Sequence, residues 1–120
     1  MLGAGEVIEN FSNTEFKGLI RTKSATYTWT MSDTLKCCES IWANYKSVPD
    51  LTGSVFKRIN LEFHKPVPIG DNGSYLSYCF LQIWVDDKYY DITFNNQHNG
   101  YYSHNVILYI NGKLLHKLSI

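Results

Sequence analysis

Net charge, cysteine pairing and long apolar runs are what this sequence lacks, and each lack removes a class of function. Eleven Lys and Arg balance eleven Asp and Glu in 120 residues, giving zero formal charge and a pI near 6.9. Affinity for nucleic acid of any sequence comes from many cations neutralising phosphates, so no strong non-specific grip on nucleic acid is expected here. The three cysteines are odd in number, and Cys37 and Cys38 are adjacent, where a mutual bridge is strained. A disulfide framework is therefore not expected, and a reducing, intracellular compartment is. No window approaches the roughly eighteen apolar residues of a membrane span. The longest candidate, Tyr75 to Val85, is interrupted by Ser77 and Gln82 and has strand length. The N-terminus, MLGAGEVIEN, carries neither the basic nor the apolar region of a signal peptide, and residue 2 is Leu rather than the Gly that N-myristoylation needs. The expectation is a protein neither secreted nor transmembrane.

Catalytic and metal-binding patterns are missing as well. Neither GxGxxG nor GxxxxGK[ST] occurs, and His64, His98, His104 and His116 lack the HxxxH or CxxC spacing of a zinc site. They read as surface or loop histidines. Cys38 falls on an apolar stripe and behaves as a small core hydrophobe, with Cys37 at its edge. Asp86, Asp87 and Asp91 cluster at a turn without an EF-hand pattern, and turns favour Asp for local backbone bonding. With no acid, base and nucleophile set, an enzyme is not expected, and neither is a cofactor.

What the chain has in excess is aromatic rings: nine Tyr, six Phe and three Trp. Length and composition give one folded domain. Residues 1–14, with Gly3, Gly5, Asn10 and Ser12, read as a partly ordered N-terminal arm, and 15–120 as a single globular domain. From Lys17 to Trp29 the pattern is β-like, with Ala25, Tyr27 and Trp29 on one face and Thr26, Thr28 and Thr30 on the other. Ser32 and Asp33 then cap a segment in which Leu35, Cys38, Ile41, Trp42 and Tyr45 recur at helical spacing, which predicts a helix over 33–46. Val55 to Lys65 alternates, with Val55, Ile59, Leu61 and Phe63 on one face and Phe56, Arg58, Asn60, Glu62 and His64 on the other.

A loop rich in Pro and Gly follows from Pro66 to Gly73, then a strand from Tyr75 to Val85 with apolar residues on both faces, as a strand covered on both sides requires. Asp86-Asp87 turns the chain into a partner strand, Tyr89 to Phe94, and Asn95 to Gly100 reads as an exposed loop. Asn111-Gly112 between Asn105–Ile110 and Lys113–Ser119 predicts a type I′ hairpin. The fold class expected from this order is α+β, a mostly antiparallel twisted sheet with one early amphipathic helix packed on one face.

The order of features resembles the globular core of rhabdovirus matrix proteins. A strand leads to Thr30-Met31-Ser32-Asp33, which opens a helix carrying Trp42 and Tyr45; a basic strand start at Lys57-Arg58, a long strand ending Val85-Asp86-Asp87 and a hairpin closing on Leu118-Ser119-Ile120 follow. The resemblance spans about residues 17 to 120. It implies a matrix protein of virion assembly, in host cytoplasm or virion, that self-associates, contacts a protein or ribonucleoprotein partner and reaches a membrane peripherally. The Lys-rich tail and PPxY motif that serve membrane contact and budding in that family are not in this chain. A second resemblance is confined to Val106–Leu115, which is similar to the strand-turn-strand of concanavalin-like lectin sandwiches. The resulting expectation is a non-enzymatic interaction protein whose partner-binding residues are Trp84, Tyr78, Tyr90, Lys57 and Arg58. The alternative is a small carbohydrate- or ligand-binding β module whose exposed Trp and Tyr stack on a sugar.

Overall fold

Period-two alternation governs nearly the whole chain. The computed structural model describes residues 1–32, 40–70, 73–98 and 103–120. They form nine strands: β1 (Asn10–Asn13), β2 (Lys17–Arg21), β3 (Thr26–Met31), β4 (Ser40–Asn44), β5 (Phe56–Ile69), β6 (Ser74–Val85), β7 (Lys88–His98), β8 (Asn105–Ile110) and β9 (Lys113–Ser119). Two antiparallel sheets result, one ordered β1-β2-β3-β8-β9 and the other β4-β7-β6-β5.

The inner faces of both sheets meet in one core. Ile20, Tyr27, Trp29, Met31, Val106 and Leu108 come from the first sheet, and Phe56, Ile59, Leu61, Cys79, Leu81, Ile83, Ile92 and Phe94 from the second. Tyr27 and Phe56 meet across the layers, with ring centroids 5.1 Å apart. Burial of this apolar area is the main term holding the layers together. The apolar core also explains Cys79: burial pushes its thiol up to about 12, so it stays protonated and inert.

The architecture is all-β, and this overturns the expected α+β class, because no helix occurs among the described residues. The predicted helix fails where it can be checked. Ser40–Asn44 is β4, pairing with Thr93–Gln97 of β7, while 33–39 lies outside the described residues. Ile41 and Ala43 face the core and Trp42 faces outward, so the same residues satisfy a strand alternation as well as a helical stripe. Pairing with β7 decides between them, as tertiary context commonly does for β-branched and aromatic residues.

Three smaller expectations change for related reasons. A bulge between Phe56 and Arg58 turns Phe56 inward, fully buried, although plain alternation placed it outside. β5 runs on through Pro66 and Pro68 to Ile69, which is tolerated because it is the edge of its sheet and needs no amide on the free side. β7 extends through Asn95 and Asn96, both buried, where an exposed loop was expected. The Asn111-Gly112 hairpin forms as predicted, with φ of 49° and 78° at its two turn residues.

The first nine residues run between the start of β5 and the β2–β3 turn. Gly5 donates to the Phe56 carbonyl and Phe56 to that of Glu6, Val7 bridges Val55, and Ile8 is buried. The Glu6 carboxylate accepts hydrogen bonds from Thr22 Oγ1 (2.7 Å), Ser24 N (3.0 Å) and Ser24 Oγ (2.6 Å). One residue thus links β5 of the second sheet to the β2–β3 turn of the first.

Candidate functional site

Register determines which side chains share the outer face of the β4-β7-β6-β5 sheet. In β6 the odd residues from Ser77 to Val85 are buried, so Leu76, Tyr78, Phe80, Gln82 and Trp84 point outward, each only partly covered. Their partners across β5 and β7 follow in rows: Arg58, Trp84, Tyr89; then Asn60, Gln82, Asp91; then Glu62, Phe80, Thr93; then His64, Tyr78, Asn95, with Trp42 of β4 opposite Asn95. Among the described residues all nine strands belong to the two sheets, and the other sheet packs on the opposite, inner face.

Two aromatic clusters stand on it. At the Asp86-Asp87 end, the Arg58 guanidinium carbon lies 5.0 Å from the centre of the Trp84 ring, a cation–π contact, and Tyr89 leans against Trp84 at 5.1 Å and 51°. An open cavity of about 430 Å³ forms there between Trp84, Tyr89, Lys57, Arg58, Lys88 and the turn acids. Asp86 holds this corner: its backbone N–H donates to the Val55 carbonyl, and its carboxylate accepts from Val55 N at 2.9 Å. At the other end His64 stacks on Tyr78, with centroids 4.3 Å apart and planes 16° apart, and Phe80 meets Tyr78 edge-on at 5.6 Å.

Between the clusters runs a polar ladder. Asn60 Nδ2 donates to Gln82 Oε1 at 3.0 Å, and Gln82 Nε2 donates to Glu62 Oε2 at 2.6 Å. Tyr89 Oη donates to Asp91 Oδ2 at 3.2 Å. Burial, with smaller contributions from the Asp91 and Glu62 carboxylates, raises the Tyr89 phenol above its ordinary value of 10.0, against an opposing hydrogen bond from Gln82. It remains a hydrogen-bond donor throughout the physiological range.

Of the five residues singled out from sequence, four meet on this face. Trp84, Arg58 and Lys57 share the cavity, and Tyr78 anchors the second cluster. Tyr90 does not join them. It pairs with Ile83 on the inner face and packs against the core, whereas Tyr89, 46% exposed, takes the outward place beside Trp84. A two-residue turn at Asp86-Asp87 pairs Val85 with Lys88 and so Trp84 with Tyr89, a consequence contained in the turn itself. Gln82 reaches the face by alternation along β6 with Tyr78 and Trp84, and His64 and Trp42 reach it through register with Tyr78 and Asn95 that no local pattern announces.

Elsewhere the histidines depart from the surface reading in one case. His104 is buried, its Nδ1 2.9 Å from the Ser32 carbonyl and 3.0 Å from Ser32 Oγ, and its backbone pairs with Ile120. Among the described residues no group of three or more His, Cys, Asp or Glu is placed to hold a metal ion, and no helix is long and apolar enough to cross a membrane.

Fold and face together define a class: a two-sheet, all-β domain with an open aromatic and amide surface on one sheet. Compared with protein-family models, curated proteins and solved structures, the chain matches none of them.

Proposed function

We propose that this domain is a carbohydrate-binding β module, and that the outer face of the β4-β7-β6-β5 sheet is its binding surface. The observation that carries the reading is the alternation on that face of exposed and half-buried aromatic rings with a hydrogen-bonded amide and carboxylate ladder. A pyranose ring has an apolar C–H face that stacks on an aromatic side chain, and a hydroxyl rim that needs both donors and acceptors. Tyr89 and Trp84 supply the first, and Asn60, Gln82, Glu62 and Asp91 the second. The rigid strand platform keeps these groups in place before the ligand arrives, which lowers the ordering cost of binding.

One of the features behind the matrix-like resemblance, an early helix carrying Trp42, is strand β4 where its residues are described, with the Trp42 side chain on the sheet face. The test is a glycan array probed with the whole protein, each hit followed by tryptophan fluorescence or calorimetry. Binding that is lost in Trp84→Ala and Tyr89→Ala supports the reading. Silence across neutral and charged glycans removes it.

A further inference from the structure

Within the carbohydrate reading, on which this inference rests, we infer that the face takes an uncharged, unbranched oligosaccharide lying along β6 and touching both aromatic clusters at once. The argument begins with spacing. Trp84 and Tyr78 are six residues apart on one strand and point the same way, which at about 3.3 Å per residue sets those two rings roughly 20 Å apart and leaves about 13 Å between Trp84 and Phe80, the nearer ring of the second cluster. A single sugar ring reaches one cluster and leaves the other empty. Between the two lie Gln82 with Asn60 and Glu62, hydrogen-bonded to one another at the sheet surface and placed to meet the hydroxyls of intervening units.

Charge along the same line selects against a polyanion. Lys57, Arg58 and Lys88 surround the Trp84 end, but Glu62 and Asp91 occupy the middle rows. A uniformly sulfated or uronic chain, or a nucleic-acid strand, that gained at the basic end would meet two carboxylates before reaching Tyr78. An uncharged chain meets donors and acceptors and then the Phe80 ring. Arg58 is already engaged over Trp84, which leaves Tyr89 as the most exposed ring of that cluster and its first stacking surface.

Chain length is therefore the diagnostic variable. Gluco-, manno- and xylo-oligosaccharide ladders from monosaccharide to hexasaccharide are titrated against the full chain by calorimetry, beside a heparin oligosaccharide ladder as the polyanionic comparison. The expected result is a rise in affinity of at least tenfold between the disaccharide and the length that first spans both clusters, then a plateau. His64→Ala, at an exposed position of the second cluster, should remove that rise, whereas Tyr89→Ala should weaken every length. Equal affinity for mono- and hexasaccharide, or tighter, salt-sensitive binding of the heparin series, overturns the inference even though the surface still binds sugar. If no member of any ladder binds, the carbohydrate reading itself falls.

Discussion

Tyr89 and Tyr90 are chain neighbours with opposite surroundings. The first stands on the open face against Trp84, and the second lies on the inner face, paired with Ile83 and packed against the core. Truncating them should therefore separate binding from stability. Tyr89→Ala is expected to change unfolding free energy by no more than about 0.5 kcal/mol, as exposed positions usually do, while abolishing the stacking contact. Tyr90→Ala should cost about 2 kcal/mol, less than a fully buried aromatic loses, with glycan affinity intact in the folded fraction. Urea titration beside calorimetry reads both, and the reverse pattern would move the site to the wrong side of the sheet. The distinction was within reach of the sequence, because the Asp86-Asp87 turn sets the pairing of Trp84. What local patterning could not show was the bulge at Lys57, which reverses the side on which Phe56 lies. A bulge inserts one residue into a ladder, and only the partner strand reveals it.

Elements were legible where both a turn signal and an alternation were present, as in the β6–β7 and β8–β9 hairpins. They were not where one residue set satisfied two periods. Ile41, Trp42 and Tyr45 fit a helical stripe, yet β7 offers an edge and β4 takes it. The same dependence on neighbours governs β2. Gly18 pairs with Trp29 across β3, and a Cβ there would overlap the indole carbons Cε2 and Cζ2 and come 2.7 Å from the Ser12 carbonyl oxygen. Trp29 is 1% exposed and cannot swing away without opening the core. Gly18→Ala should accordingly destabilise by about 1–3 kcal/mol, the range for overpacking, although alanine suits a strand backbone better than glycine. A variant as stable as the parent, by urea or thermal unfolding, would mean that the indole has room that the structure does not show.

At the scale of the molecule, the two layers are joined by a common core and by the N-terminal segment, and Glu6 makes that junction sensitive to acid. Hydrogen bonds from the Ser24 side chain first, then the Thr22 hydroxyl and Ser24 amide, hold its carboxyl below the ordinary value of 4.5. A carboxyl depressed by folding contributes stability that is full above that ordinary value and is lost as pH falls through the lower folded one. Glu6→Gln should therefore flatten the acid limb of a plot of unfolding free energy against pH, with parent and variant converging toward low pH. Parallel acid limbs for the two would show that the side chain does not serve the junction. The broad class of the molecule was only half legible: its antiparallel sheet character followed from alternation and turns, but its division into two layers depends on which strands pair at long range, as β3 with β8 and β4 with β7 do.

The Asn111-Gly112 turn carries a consequence of a chemical kind. An asparagine followed by glycine is the dipeptide most open to attack by the next amide nitrogen on the side-chain carbonyl, which expels ammonia through a succinimide and leaves aspartate or isoaspartate. Here Asn111 Oδ1 is held by the Thr26 amide at 2.8 Å and its own N–H by the Thr26 carbonyl. The carboxamide is thus tied to β3 while the hairpin is closed, and freed to react only when that corner of the sheet opens. Ageing at this one peptide bond becomes a cumulative record of local opening, written in covalent form and retained after the fold has closed again.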